Sequence, residues 1–96
     1  MLERDYQKKL KGKIQNIFPG CIVLKNDSSI CQGIPDLSVY YHGAYAMLEV
    51  KKSLNEPKQP NQEYYVNYIN ENGGFARFIF PENEEEVLNE LKEYFG

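Results

Sequence analysis

The stretch that decides the fold is Gly33–Lys52, GIPDLSVYYHGAYAMLEVKK. Polar and apolar residues alternate on both sides of His42-Gly43, a pair suited to a two-residue hairpin loop because glycine readily adopts positive φ. In a hairpin with that loop, residues whose numbers add up to 85 lie opposite each other, as 42 and 43 do. This register places Asp36 directly opposite Glu49.

Three charged side chains of the hairpin fall on one face of the predicted sheet. Because strand side chains alternate, Lys51 lies on the same side as Glu49. Opposed carboxylates, as at Asp36 and Glu49, have Cβ atoms roughly 4.5–5.5 Å apart and repel each other unless they share a cation. The opposite face is apolar and consists of Leu37, Val39, Ala46, Leu48 and Val50.

Such a cluster of oxygen ligands favours Mg²⁺ or Mn²⁺, and the Val50 carbonyl is a candidate third ligand. A metal held there can polarise a phosphate oxygen and lower the pKa of a bound water. The adjacent Lys51 can orient that water or stabilise charge on the phosphate. The pattern therefore predicts phosphodiester hydrolysis.

The flanking segments predict three helices and two further strands. Apolar residues at three- and four-residue steps predict the first helix, and Asn83, with Glu86 at its capping-box position, is expected to cap the last. The order helix, strand, hairpin, helix, strand, helix predicts an α/β fold with a mixed sheet of about four strands. The flanking helices and strands are predicted over 2–18, 21–24, 61–72, 75–80 and from Asn83 onward.

Composition excludes several classes of protein. At 96 residues the chain is expected to form one domain around a single core. Cys21 and Cys31 lack CxxC spacing and there is one histidine, which excludes a standard zinc site and predicts reduced thiols. The charged N-terminus, MLERDYQKKLKGK, lacks the apolar run of a secretory signal, so we expect a cytoplasmic protein.

Charge is divided unevenly along the chain. Residues 1–58 carry nine Lys or Arg against six Asp or Glu, whereas residues 59–96 carry two against eight. The basic half supplies candidate contacts to a phosphate backbone, or alternatively a solvated helix face. These candidates are Lys8, Lys11, Lys25, Lys52 and Lys58. Candidates for stacking on a splayed base, with ordinary packing the commoner alternative, are Tyr40, Tyr45, Tyr64 and Tyr68.

Pro35-Asp36 followed by Glu49-Val50-Lys51 matches the P-D…(D/E)-x-K signature, and the chain resembles the PD-(D/E)XK nuclease superfamily. GIPDL, LEVK, a glutamine early in the next helix and Gly-Gly before the next strand resemble its VRR-NUC branch. That branch includes small stand-alone phage proteins and enzymes like Holliday-junction resolvases. The resemblance implies a restriction-endonuclease-like αβββαβ core with a C-terminal helix, spanning residues 1–96 as one nuclease domain.

The resemblance also implies roles for individual residues. Asp36 and Glu49 would be metal ligands, Lys51 the catalytic lysine and Gln62 an active-site helper. The family places an acidic residue of the first helix near the metal. Glu3 is the best match in this sequence.

Ordinary structural roles remain open as alternatives. Asp36 suits a turn after proline, and Glu49 with Lys51 suits a polar strand face in solvent. Gln62 suits a helix cap, and Glu3 an exposed helix position. For the acidic residue of the first helix, Asp5 is the alternative.

The leading hypothesis is a Mg²⁺-dependent endonuclease, with Mn²⁺ as a substitute, that cuts branched or structured DNA. Because so small a domain offers little surface to a duplex, we expect a homodimer or higher homo-oligomer with paired sites. The alternative is a catalytically silent nucleic-acid-binding or assembly protein on the same fold. A less favoured possibility is an inhibitor whose acidic C-terminal half mimics nucleic acid. The expected setting is the cytoplasm of a bacterial or phage-infected cell.

Overall fold

A computed structural model describes residues 1–96 of the protein. Every predicted helix and strand is present, with bounds displaced by no more than one residue. None of the helices is both long enough and apolar enough to cross a membrane. In chain order the elements are α1 (Glu3–Ile17), β1 (Ile22–Lys25), β2 (Leu37–Tyr41), β3 (Ala44–Val50), α2 (Pro60–Glu71), β4 (Ala76–Ile79) and α3 (Glu84–Phe95).

The four strands form one mixed sheet in the order β1-β2-β3-β4. The first two pairings are antiparallel, and β3 pairs with β4 in parallel after the α2 crossover. His42 and Gly43 have φ of 52° and 79°, the positive values that a two-residue type I′ hairpin loop requires. Tyr41 pairs with Ala44, and the pairing continues outward as predicted.

The two faces of the sheet are covered differently. On one face, α1 and α3 pack on the predicted apolar side of the hairpin, where Leu10 and Leu91 are fully buried. Each such burial contributes about 1.5–3 kcal/mol. On the other face, Val66 and Ile69 of α2 form a smaller cluster over β3 and β4. Strand alternation therefore leaves Glu49 on the α2 side, away from the main core.

Asn83 is the N-cap residue of the last helix, as predicted, but its side chain does not cap the helix. Asn83 makes no side-chain cap bond to α3, and its φ of −116° and ψ of 5° depart from the extended conformation of a usual cap. Its side chain instead accepts a hydrogen bond from Phe80 N at 2.9 Å and donates one to the Phe78 carbonyl at 3.0 Å. The Asn83 side chain therefore closes the turn after β4, and its hydrogen-bonding groups are already used there.

The loop before the hairpin is fitted closely against the start of α2. Gly33 has φ of +89°, and a Cβ added to it would lie 2.8 Å from the Cβ of Asn61. Gly33→Ala is therefore expected to lower the free energy of unfolding by more than about 1 kcal/mol. Urea denaturation measures this change.

Gly12 provides the matched control for that substitution. It lies inside α1 with nothing within 4 Å of an added Cβ, so Gly12→Ala should stabilise the protein by about 0.5–1 kcal/mol. If Gly33→Ala and Gly12→Ala changed the free energy of unfolding equally, the loop would not be held tightly against α2.

Candidate active site

The two acidic residues of the motif meet at one end of the hairpin. Asp36 lies directly before β2, and its backbone carbonyl accepts a hydrogen bond from Asn26 N at 2.7 Å, so strand-like pairing extends to this residue. Its side-chain Oδ2 accepts a hydrogen bond from Val50 N at 2.9 Å. Its carboxylate lies close enough to that of Glu49, which is only 3% exposed, for its charge to raise the pKa of Glu49. The predicted register is observed as far as Leu37 opposite Leu48, and the carboxylates of Asp36 and Glu49 lie near each other at the end of this pairing.

Lys51 and Gln62 complete a hydrogen-bonded chain with these acids. Lys51 lies just beyond β3 and is 5% exposed, and its Nζ donates to Gln62 Oε1 at 2.8 Å. The Gln62 amide nitrogen donates to Glu49 Oε2 at 3.2 Å. Gln62 therefore connects the lysine to the buried acid.

Gln62 also caps the helix that carries it. Its Oε1 accepts a hydrogen bond from Gln59 N at 3.1 Å, as part of a capping box at the start of α2. The capping alternative for Gln62 is thus confirmed, and the same side chain reaches the site. Because the cap holds this amide at the helix start, its orientation toward Lys51 is preorganised.

The first helix contributes Glu3 to the same end of the sheet. Glu3 is partly buried and lies near enough to Glu56, Asp36 and Lys51 for their charges to act on it. Asp5 is exposed, so the structure favours Glu3 over that alternative.

Sequence reasoning missed Glu56. Its Oε2 accepts a hydrogen bond from Lys52 N at 2.7 Å, which fixes the turn after β3. The loop between β3 and α2 has no periodicity, so nothing in its sequence distinguishes this glutamate from an ordinary loop residue.

Burial and neighbouring carboxyl groups raise the pKa values of two acids in the site. Burial, followed by the charge of Asp36, raises the pKa of Glu49 from 4.5 to about 9. Burial and the hydrogen bond to Glu56 raise the pKa of Glu3 from 4.5 to about 7. Lys51 opposes both shifts but does not cancel them. At neutral pH the cluster therefore retains protons that a bound cation would displace.

The donor set at this end of the sheet fits a hard divalent cation. Two adjacent carboxylates that repel each other, at Asp36 and Glu49, are typical ligands for Mg²⁺, which keeps several of its own waters. The structure contains no preassembled group of three or more Asp, Glu, His or Cys residues that could hold a metal ion. A third protein ligand would therefore have to be a main-chain oxygen, as predicted for Val50, or Glu3 after it leaves Glu56.

Three of the predicted DNA-binding lysines lie together. They line a groove of about 230 Å³ between α1 and β1, in which Lys25 Nζ donates to Gln7 Oε1 at 3.2 Å. Leu37, the neighbour of Asp36 in the chain, also lines it, on the α1 side of the sheet and opposite the side that carries Glu49. Sequence reasoning missed Arg4, although it shares a helix face with two of the lysines at i, i+4 and i+7. The basic groove is lined by Arg4, Gln7, Lys8, Lys11, Lys25 and Leu37.

The other two predicted lysines lie outside the basic groove. Lys58 Nζ sits 4.8 Å from the centre of the Phe78 ring, on the α2 side of the sheet. Lys52 is exposed beside the turn that Glu56 holds. The structure therefore separates these two residues from the three lysines of the groove.

Comparison with known proteins identifies the type of fold. No protein-family model matches the sequence, and no curated protein matches it either. A solved structure described as "VRR_NUC domain" superposes with a TM-score of 0.74 at 26% sequence identity, covering 97% of both chains. The chain has the VRR-NUC nuclease fold, with the mixed four-stranded sheet and flanking helices of the restriction-endonuclease-like class.

The raised pKa of Glu49 leads to a stability prediction. Folding takes up a proton at any pH between the ordinary value of 4.5 and about 9, so stability falls as pH rises through that window. Glu49→Gln removes this penalty and should raise the free energy of unfolding at pH 8 more than at pH 4. Urea denaturation in EDTA measures both values.

The control for this experiment is Glu93→Gln, an exposed site on α3. It should change the free energy of unfolding by similar small amounts at the two pH values. If Glu49→Gln also changed the free energy of unfolding by the same amount at both pH values, this would contradict the raised pKa of Glu49.

Proposed function

We propose that the protein is a divalent-metal-dependent endonuclease that hydrolyses phosphodiester bonds in DNA, with branched or otherwise structured DNA as its substrate. The observation that carries this proposal is the cluster in which Gln62 bonds both buried Glu49 and buried Lys51 while the carboxylate of Asp36 lies next to that of Glu49. Its similarity to a VRR_NUC domain supports a nuclease-type domain, and folds of this type usually act with a divalent metal.

In this proposal Asp36 and Glu49 hold Mg²⁺ or Mn²⁺, with Val50 and Glu3 as further ligands. The cation, when bound, supplies a Lewis acid that polarises the phosphate and lowers the pKa of a water. Gln62 holds the ammonium group of Lys51 beside Glu49. From there Lys51 orients the attacking water or stabilises negative charge that develops on the phosphate.

The basic groove supports DNA as the substrate. The protein has a net charge of −3, so attraction to DNA depends on where its cations are concentrated. Lys8, Lys11 and Lys25 are gathered in one groove together with Arg4, and Glu3, the neighbour of Arg4 in α1, lies near Asp36. Lys52 and Lys58 would add contacts on the other side of Glu49.

The proposed active form is a homodimer or higher homo-oligomer. Residues 1–96 would form one nuclease domain with a single site, and a two-fold assembly would present paired sites to two strands. The proposed setting is the cytoplasm of a bacterial or phage-infected cell.

A catalytically silent protein that binds nucleic acid is the second candidate function. The observation that favours it is the lack of a preassembled group of three metal-binding side chains. Such a protein would keep the fold and the basic groove but would not cut.

Cleavage assays with Lys51→Ala test the nuclease proposal. With Mg²⁺ or Mn²⁺, the wild type should cut a labelled four-way junction or supercoiled plasmid, and EDTA should abolish cutting. Lys51→Ala should lower the single-turnover rate by at least about 100-fold, because it removes a preorganised cation next to the reacting phosphate. Lys92→Ala, an exposed lysine on α3, is the control and should cut at the wild-type rate.

Binding to the same junction in EDTA separates the two candidate functions. Wild type that binds the junction but cuts nothing with either metal would favour the silent alternative. Equal cutting by wild type and Lys51→Ala would overturn the role of Lys51. Calorimetry with Mn²⁺ checks the metal site independently, since Asp36→Asn should abolish or strongly weaken the binding.

Removing the cationic side chains of the basic groove should weaken binding to DNA of any sequence. Each lost phosphate contact should lower the slope of log affinity against log salt by about 0.9. The triple variant Arg4→Ala, Lys8→Ala, Lys11→Ala is therefore expected to bind more weakly and with a shallower salt slope than the wild type. Fluorescence anisotropy across a salt series measures both quantities. An unchanged slope, equal to that of Lys92→Ala, would show that the strand passes elsewhere.

A further inference from the structure

One asparagine side chain holds the end of the hairpin that carries Asp36. Asn26, the residue after β1, donates hydrogen bonds from Nδ2 to the Pro35 carbonyl and to Ser38 Oγ, each at 2.8 Å. Its backbone N donates to the Asp36 carbonyl at 2.7 Å. Asn26 therefore contacts the backbone of Asp36, the residue before it and the next residue on the same side of β2.

The groups that Asn26 binds lie in the protein interior. Pro35 and Ser38 are both fully buried. A buried carbonyl or hydroxyl group without a hydrogen-bond partner is unfavourable, so both groups need a donor within the protein. An asparagine amide has two hydrogens, and Asn26 gives one to each of them.

The hairpin register shows what the Pro35 carbonyl would bind if the strand pairing continued. Two residues beyond the last pair of β2 and β3, Pro35 falls opposite Val50. The backbone groups of successive strand residues point to alternate neighbouring strands. Lys51 N bonds to β4, so Val50 N points toward β2, where the Pro35 carbonyl would be its partner.

Asn26 interrupts this pairing. It follows β1, on the far side of β2 from β3, so its bond turns the Pro35 carbonyl away from Val50. Val50 N donates instead to Asp36 Oδ2 at 2.9 Å. The strand pairing therefore ends one residue pair early, and a side-chain carboxylate takes the place of the main-chain carbonyl.

This exchange restrains the Asp36 carboxylate, a candidate metal ligand. With Oδ2 fixed on Val50 N, the carboxylate is held at the end of the hairpin beside that of Glu49. A ligand that is already restrained loses less conformational freedom when a cation binds. Residues that orient metal ligands from outside the coordination sphere therefore affect metal affinity.

We propose that Asn26 is a positioning residue for the Asp36 carboxylate. It acts through the Pro35 carbonyl, which it keeps on the β1 side of the strand, so that Val50 N is left to bind Asp36. Asn26 itself touches neither cation nor substrate. The inference rests on the proposed function, in which Asp36 holds a divalent cation.

Asn70 provides a matched control with a purely structural role. Its side chain also bonds main-chain groups, accepting from Ala76 N at 2.9 Å and donating to the Ala76 carbonyl at 2.8 Å. It lies eight residues after Gln62 in α2, about 12 Å along the helix at 1.5 Å per residue. Asn70→Ala therefore removes comparable hydrogen bonds away from the acids.

The Val50 amide tests the proposal without metal and without cleavage. In a proton–nitrogen NMR spectrum, Asp36→Ala should shift the Val50 resonance, because the amide loses its carboxylate partner. Asn26→Ala should move this resonance at least halfway to its position in Asp36→Ala, and Asn70→Ala should leave it near the wild-type position. An unmoved Val50 resonance in folded Asn26→Ala would overturn the proposal.

Calorimetry with Mn²⁺ tests the consequence for the site. Asn26→Ala should bind Mn²⁺ about 10–100-fold more weakly than the wild type, the loss expected when a residue that orients a metal ligand is removed. Asn70→Ala should bind it like the wild type. Equal affinities for Asn26→Ala and the wild type would also overturn the proposal.

The metal dependence of cleavage separates Asn26 from a catalytic residue. If Asn26 acts only by placing a metal ligand, a higher Mn²⁺ concentration should restore the cleavage rate of Asn26→Ala toward that of the wild type. Lys51→Ala should stay slow at every Mn²⁺ concentration. An Asn26→Ala rate that is reduced equally at all Mn²⁺ concentrations would contradict a role through the metal ligand.

Asn26→Ser is the second variant in case Asn26→Ala fails to fold by circular dichroism. Its hydroxyl keeps a polar group after β1, but the shorter side chain does not reach the Pro35 carbonyl. The same shift of the Val50 resonance and the same weaker Mn²⁺ binding are expected.

The failure of this proposal and that of the nuclease proposal give different results. A wild type that cleaves no substrate would contradict the nuclease proposal, and the Val50 resonance would still show whether Asn26 places Asp36. A wild type that cleaves DNA, beside an Asn26→Ala variant with unchanged Val50 resonance and Mn²⁺ affinity, would contradict the positioning role alone.

Discussion

The register of the β2–β3 hairpin is the constraint on which the rest of the site depends. Because side chains alternate strictly along a strand, a slip of one residue would bury Glu49 in the main core and expose Leu48. The apolar side of the hairpin prevents that slip, since Val39 and Ala46 are fully buried under α1 and α3. The packing that stabilises the fold therefore also brings Asp36 to the buried acid.

The buried acids of the site destabilise the folded protein. Burying a carboxyl group beside a second one, as at Glu49 and Asp36, is unfavourable and raises the pKa of the more buried acid. Gln62 and Lys51 limit that cost, and no buried side-chain nitrogen or oxygen lacks a hydrogen-bond partner. Fully bonded polar groups combined with strongly raised pKa values of the acids are a pattern that many functional sites show.

Features of the fold that follow local rules could be predicted from the sequence. Features that depend on tertiary contacts could not. Strand alternation and a glycine-containing loop are local, so the register that opposes Asp36 to Glu49 was predictable. The loop residue Glu56 carries no distinctive spacing, and only the fold shows its position, whereas Arg4 shares a helical spacing with Lys8 and Lys11 that already indicated its place. The side-chain cap expected at Asn83 is absent because this side chain bonds to the end of β4, which a capping rule does not consider.

A single short strand sends neighbouring residues to surfaces of different character. Leu24 and Lys25 are adjacent in β1, yet Leu24 is half exposed on the α2 side of the sheet, whereas Lys25 bonds to Gln7 in the basic groove on the opposite side. In a domain of this size, strand alternation provides both surfaces without a second module.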